Sequence, residues 1–358
     1  MTNYPFLSYR LLHFKAQLVD MNIVILDDYQ DTIRKLACAS RLEPFSAKVY
    51  TNNVKGISQL VFRLKDADIL VLNHGRTQIT RQILEKLPKL KLIIQIGLVG
   101  PHLDLDACTS SGIAVIEGHE SPTATAEFTW ALIMSAMRRL SQYVGMLKHG
   151  GWQQSGLKRA AMPANFALGC RLAGKTLGIW GYGRIGSLVA HYGKCFNMHV
   201  LVWGSDASRK KAADAGHDVA QSREELFKES DVLSLHLRLG ENNRRIVKLD
   251  DLSLMKNTSL FVNTANAELV DTDALVCALN RGCPGLAAVD VFDSEPILQG
   301  HALLRLENTI CTPHIGSVDQ ESYETHFCAA FDHIVNFTEG KPLPILNPQA
   351  LQFRQIKG

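Results

Sequence analysis

The sequence predicts two doubly wound parallel α/β domains, one inserted into the other. Three observations carry the prediction. Short apolar runs alternate with stretches of helical periodicity along nearly the whole chain, and that alternation builds parallel sheets with helices on both faces. One glycine-rich turn, Gly181-Tyr182-Gly183-Arg184-Ile185-Gly186, sits mid-chain between an apolar run and a helical stretch. The 358 residues are enough for about two domains of ~100–200 residues each.

The turn matches G-x-G-x-x-G. Thr176–Trp180 before it is too short for a helix and reads as a buried strand, Ser187–Phe196 after it has helical spacing, and Met198–Trp203 reads as the next strand. Strand, glycine turn, helix, strand is the order a dinucleotide site needs. The first glycine permits the tight turn, the second lets backbone approach a pyrophosphate, and the third lets helix pack on strand. The phosphates then meet free N–H groups and the positive end of the helix dipole. Gly181, Gly183, Arg184, Ile185 and Gly186 are therefore candidate cofactor-binding residues.

Taken in order, residues 1–21 read as an extension ahead of the first strand, without signal-peptide architecture. Strands are predicted at Asn22–Leu26, Lys48–Tyr50, Asp68–Leu72, Leu92–Gln95 and Ala114–Ile116. Helices are expected at Asp31–Cys38, Ile57–Leu64, Thr80–Leu87 behind a threonine cap, and Asp104–Ser110. This half has no phosphate-binding glycine turn, so a separate flavodoxin-like domain is expected. Ser121–His149 reads as one long helical crossover and residues 150–174 as an irregular arm. Alternation then resumes, with strands at Val232–His236, Ser259–Asn263, Gly285–Val291 and Thr309–Thr312. Helices fall between them, and Gln320–Phe337 returns to complete the first domain. The expected boundaries are 22–120 and 318–358 for the outer domain and 121–317 for the inserted nucleotide domain.

Composition narrows the function classes. Hydrophobic residues at 46% and charged residues at 20% describe an ordinary globular chain. A net charge of +3 with dispersed basic residues argues against nucleic-acid or membrane partners. No apolar stretch approaches the ~20 residues of a membrane span. The eight cysteines (Cys38, Cys108, Cys170, Cys195, Cys277, Cys283, Cys311, Cys328) form no C-x-x-C pair and no zinc-like spacing. Reduced structural thiols in the cytoplasm, and no metal site, are expected.

Three further stretches lie at predicted strand C-termini, where open α/β sheets bind ligands. They are Val262-Asn263-Thr264-Ala265-Asn266-Ala267, Ala288-Val289-Asp290-Val291-Phe292-Asp293-Ser294-Glu295-Pro296, and Thr312-Pro313-His314-Ile315-Gly316. With the glycine turn, they closely resemble the D-isomer-specific 2-hydroxyacid dehydrogenases, over about Asn22 to Pro348. The resemblance implies a Rossmann NAD(P)-binding domain inserted into a flavodoxin-like substrate domain, and interconversion of 2-oxoacids and D-2-hydroxyacids. It implies His314 as acid/base, Glu295 as its carboxylate partner, and Asp290 near the nicotinamide. His236, Thr264, Ala265 and Gly316 join the cofactor residues, and backbone N–H groups of Gly97, Leu98, Val99 and Gly100 would hold the substrate carboxylate. The chemistry agrees: hydride transfer to a ketone makes an alkoxide that needs an acid titrating near neutrality, and a carboxylate orients and charges the imidazole.

Two positions depart from the family pattern. Asn266, followed by Ala267, stands where the family's N-x-x-R-G stretch has an arginine that binds the substrate carboxylate and polarises its carbonyl. Asparagine offers one neutral NH₂ in place of a charged fork. An altered substrate, a lost activity and an introduced substitution all fit. After Trp203, Gly204-Ser205 stand where NAD-using members carry an acidic residue for the ribose 2′-OH. Hydroxyls followed by Arg209-Lys210-Lys211 suit a 2′-phosphate, so the reading leans to NADP over NAD through Ser205 and Arg209. Asp206 swinging in, or a merely solvated basic helix face, is the alternative.

Two readings of function follow. One is an NAD(P)-dependent 2-oxoacid reductase; the other is a regulatory or scaffolding homologue with weakened chemistry. Phe128, Trp130, Leu132, Ile133, Met134 and Met137 in the crossover leave too few polar positions for a solvent-facing side. They are either buried within the monomer or paired with a second copy, and the resemblance implies a homodimer.

Overall fold

The computed structural model describes residues 21–118, 121–153 and 167–356. The expected N-terminal extension and most of the expected arm lie outside the described residues. The chain forms two compact units: Ser121–Val318 is contiguous, and the residues before it join those from Asp319 onward.

The first unit holds five parallel strands, β1 (Asn22–Ile25), β2 (Ser46–Val49), β3 (Ile69–Asn73), β4 (Leu92–Ile96) and β5 (Ala114–Glu117), in the order β2-β1-β3-β4-β5. β3 and β4 are buried along their whole length, which is why both read as continuous apolar runs. The helix Gln320–Thr338 closes this unit with Tyr323, Phe327, Phe331 and Ile334 buried. Asn347 secures the C-terminal segment to β5: its side chain accepts from Val115 N at 2.8 Å and donates to Ile113 O at 3.0 Å.

The second unit holds seven parallel strands: β6 (Thr176–Trp180), β7 (His199–Trp203), β8 (Asp218–Val219), β9 (Val232–Leu235), β10 (Leu260–Asn263), β11 (Leu286–Val289) and β12 (Thr309–Cys311). Their order is β12-β11-β10-β9-β6-β7-β8. The sheet separates two apolar layers: Leu177, Ile179, Val189 and Ala190 pack on one face, and Trp180, Phe227, Leu233 and Phe261 on the other. This is the Rossmann arrangement, and the strand order reverses beside β6, where open α/β sheets bind ligands.

Three predicted elements differ. Asp31–Cys38 is not one helix but two 3₁₀ segments, Ile33–Lys35 and Ala37–Leu42, separated by extended Leu36. The Asp28 carboxylate accepts from Thr32 N and Ile33 N at 3.1 and 2.9 Å, fixing the tight entry. Thr80 precedes the single-turn helix Arg81–Leu84 but makes no side-chain cap bond. The long crossover is two helices, Pro122–Met137 and Leu140–Lys148. Arg139 breaks it at φ 57°, and its fully buried guanidinium donates to Ala136 O at 2.6 Å.

Candidate active site

The glycine turn follows β6 directly. Gly181 has φ 102°, and a Cβ there would lie 2.6 Å from His236 O, so only glycine brings these backbones together. A Cβ on Gly186 would lie 2.2 Å from Gly181 O, whereas one on Gly183 would meet nothing within 4 Å. The outer glycines therefore close the turn, and the middle one opens onto free space. Gly183 also starts the helix Arg184–Cys195 with no side chain capping it, so the first-turn N–H groups stay available to an anion. These residues fit a dinucleotide pyrophosphate. Ser208, which the sequence did not single out, accepts from Tyr182 N at 2.6 Å; no motif marks it, because the contact crosses from the next βα unit.

The ends of β9, β10 and β11 supply the other predicted residues of this unit. His236 follows β9 with Nε2 2.9 Å from Ser234 Oγ, and burial pushes its pKa down to about 4, leaving the ring neutral at pH 7. Thr264 follows β10 and lies buried, its hydroxyl 2.7 Å from that of Thr129. Ala265 N donates to Asn263 Oδ1 at 3.0 Å. Asp290, after β11, accepts from Thr312 Oγ1 (2.6 Å), Ile315 N (3.0 Å) and Gly316 N (2.8 Å). Burial still pushes its carboxyl above the ordinary carboxylate range, outweighing those donors and the His314 ring nearby. Asp290 thus ties β11 to the turn carrying His314.

His314 adopts φ 52°, a conformation that costs a non-glycine residue energy and recurs at functional sites. Its Nδ1 lies 2.7 Å from Glu295 Oε2, and Glu295 Oε1 accepts from Phe292 N at 3.0 Å. The imidazole side chain is 42% exposed and the carboxylate 24%, so the carboxylate is the more shielded of the two. Asn266 is half-buried and immediately precedes the short 3₁₀ segment Ala267–Leu269, its side chain making no cap hydrogen bond there. Its carbonyl accepts from Asn263 Nδ2 at 2.9 Å.

At the end of β7, Ser205 caps the helix Asp206–Asp214, accepting from Ser208 N at 3.3 Å. The Arg209 guanidinium stacks over Trp203, 4.7 Å from the ring centre, and pairs with Asp206. A guanidinium is therefore present beside the end of β7.

The first unit carries the Gly97–Gly100 turn after β4. Gly97 has φ 81°. Buried His102 supports the turn, with Nε2 2.8 Å from Gln95 Oε1 and its pKa pushed down to about 4 by burial. Val99 N donates to Glu117 Oε2 at 3.1 Å. The chain's own carboxylate thus occupies one of the four amides predicted to hold a substrate carboxylate. No motif marks this pair, since Glu117 reaches the turn only from the end of β5.

Known proteins match this arrangement. The family profile described as D-isomer specific 2-hydroxyacid dehydrogenase, NAD binding domain, matches residues 130–316. A glyoxylate reductase from Aeropyrum pernix is 36% identical over 83% of this chain and 88% of its own length. Among solved structures, a phosphoglycerate oxidoreductase from Vibrio cholerae O395 is 45% identical with TM-score 0.85, covering 89% of this chain and 99% of that one. A D-lactate dehydrogenase from Aquifex aeolicus, complexed with NAD and lactic acid, is 29% identical with TM-score 0.69 over 92% of this chain and 98% of that one. Both the sheets and the glycine turn described above belong to that pattern, and the chain is a member of the D-isomer specific 2-hydroxyacid dehydrogenase family.

Proposed function

We propose that this chain reduces 2-oxoacids to D-2-hydroxyacids with a nicotinamide cofactor, using His314 and Glu295 as the acid/base pair. The 2.7 Å contact between His314 Nδ1 and Glu295 Oε2 is the observation that carries the reading. A bound reduced nicotinamide supplies the hydride. Glu295 holds Nδ1 and stabilises imidazolium, leaving Nε2 to protonate the alkoxide oxygen. Phe292 N fixes the carboxylate so that it cannot swing away from the ring. Gly183 and the first turn of its helix take the pyrophosphate, with Arg184 and Ile185 alongside. Thr264, Ala265, His236, Asp290 and Gly316 line the strand ends that receive the nicotinamide half, and the amides of the Gly97–Gly100 turn other than Val99 N, which Glu117 holds, take the substrate carboxylate. The domain boundaries at 120/121 and 317/318 go with this division of labour.

The competing reading is a regulatory homologue with weakened chemistry, favoured by Asn266 and by the Glu117 carboxylate on Val99 N. The maintained His314–Glu295 pair favours catalysis, because a scaffold has no need of it. Following NAD(P)H absorbance with glyoxylate, hydroxypyruvate and phenylpyruvate separates the two. Oxidation of the cofactor is the expected result; cofactor binding without turnover on any oxoacid supports the regulatory reading.

The cofactor is proposed to be NADP in preference to NAD. Asp206 is 95% exposed, and an ion pair so open to water contributes little. A 2′-phosphate offers Arg209 a doubly charged, bidentate partner instead. Fluorescence titration is expected to show tighter binding of NADPH than NADH, and a clear preference for NADH reverses the assignment.

A homodimer in a reducing, cytoplasmic setting completes the proposal. Trp130, Leu132, Ile133 and Met137 are buried in their own unit's core, so these do not call for a partner. The apolar stripe left over is Leu140, Val144 and Leu147, exposed by 50, 52 and 59% at i, i+4, i+7 of the helix Leu140–Lys148. Among the described residues no helix is long and apolar enough to cross a membrane, and a second copy suits this stripe. Light scattering at micromolar concentration is expected to give the dimer mass, falling to the monomer in Val144→Glu; a monomeric mass for the unaltered chain ends the idea.

A further inference from the structure

Away from the residues assigned above, the first unit gathers two thiols and a carboxylate. Cys38 lies in the 3₁₀ segment Ala37–Leu42, and Glu324 and Cys328 lie one turn apart on the helix Gln320–Thr338. Their Sγ, carboxylate O and Sγ atoms all lie within 4.8 Å of one another. Cys38 is buried and the other two are half-buried. Zinc binds thiolate at about 2.3 Å and carboxylate oxygen at about 2.0–2.2 Å, which places neighbouring ligands of a tetrahedron about 3.5–3.8 Å apart. A small inward movement of flexible side chains closes that gap.

We propose that Cys38, Glu324 and Cys328 form a binding site for a thiophilic divalent cation of the zinc class, with water as the fourth ligand. Thiolates select such a cation over calcium or magnesium. The carboxylate is already oriented, since Ala37 N donates to Glu324 Oε1 at 3.1 Å, as a neighbouring donor does for a metal ligand. Its other oxygen faces the Cys328 thiol at 3.9 Å. The nearby cation, Arg41, does not neutralise the cluster: it pairs with Asp332 at 3.1 Å and donates to the Cys328 carbonyl at 2.9 Å. The half-buried positions of Glu324 and Cys328 give the ion and its water an entry path. The three ligands come from opposite ends of the chain, which is why no spacing in the sequence reveals them. A bound ion would clip the 3₁₀ segment to the C-terminal helix within one unit.

A rival outcome is a Cys38–Cys328 disulfide. Burial is the largest effect pushing the Cys38 thiol up to about 12, with Cys328 and Glu324 adding to it, so this thiol is a poor nucleophile for thiol–disulfide exchange. A carboxylate beside two sulfurs penalises a bare thiolate and favours a cation.

The test is titration of the chelator-treated full chain with Co²⁺, a coloured stand-in for Zn²⁺. A thiolate-to-cobalt charge-transfer band and tetrahedral visible bands are expected, saturating at one equivalent and erased by Zn²⁺. Cys38→Ser and Cys328→Ser should each lose the charge-transfer intensity, and Glu324→Gln should weaken binding about tenfold or more. Circular dichroism checks that each variant is folded; if one cysteine variant is not, the other and Glu324→Gln carry the test. Zn²⁺ should also raise the Tm of the unaltered chain but not of Cys328→Ser. No thiolate band, a band that persists in both cysteine variants, or loss of two hydrogens by mass with oxidised glutathione and no cobalt band overturns the proposal.

Discussion

Replacing His314 by Gln is expected to lower kcat for oxoacid reduction by about 10²- to 10⁴-fold, the contribution typical of a positioned proton donor. NADPH binding, read by fluorescence, should change little, because the proposed pyrophosphate site is the Gly183 turn and not the imidazole. Glu295→Gln makes the subtler and more diagnostic change. The carboxylate 2.7 Å from Nδ1 favours the protonated ring, which is the form that donates in reduction. The rate should therefore fall as pH rises through the ring's titration in the complex. A neutral amide favours imidazolium less, so in the variant the fall moves to lower pH. Steady-state rates from pH 5 to 9 for both forms decide it; an unmoved profile would show that the two groups are not coupled in turnover.

What the sequence revealed and what it hid have physical causes. The glycine turn is legible because each of its roles is local: Gly181 needs its φ of 102°, and a Cβ at position 186 would lie 2.2 Å from the Gly181 carbonyl oxygen. The buried strands were legible because full burial leaves no polar alternation to confuse them. Asp31–Cys38 misled because its periodicity is helical, whereas the Asp28 carboxylate bonded to two amides selects a tighter path. The break at Arg139 was hidden because its cause is burial of an arginine, which composition does not foretell. Glu117 on Val99 N, Ser208 on Tyr182 N, and the Cys38–Glu324–Cys328 cluster depend on chain segments that meet only in the folded units. Local pattern reaches the glycine turn and the two motifs whose His314 and Glu295 meet at 2.7 Å, and stops short of contacts that no motif marks.

Restoring arginine at position 266 should raise kcat/KM on simple 2-oxoacids by roughly two orders of magnitude, the scale of one charge-assisted contact at a reacting centre. The unaltered chain should be weak on such substrates, with KM raised and kcat lowered together, because an arginine there serves both ground and transition states. The local backbone can accept the change. Asn263 Nδ2 holds the carbonyl of residue 266 at 2.9 Å, so the turn does not depend on the side chain there, and the position is only half-buried. Asn266→Arg is therefore a test of the substrate contact and not of folding. Kinetics of both forms on glyoxylate, hydroxypyruvate and phenylpyruvate give three distinct answers. A gain on all three means that the family's carboxylate geometry is kept and only its cation is missing. A loss on a substrate that the unaltered chain turns over well means that the pocket is tuned to a group other than a carboxylate, where an added guanidinium is a desolvated charge without a partner. Equal activity in both forms removes residue 266 from the substrate site, and with it the explanation of this chain's specificity by that one asparagine.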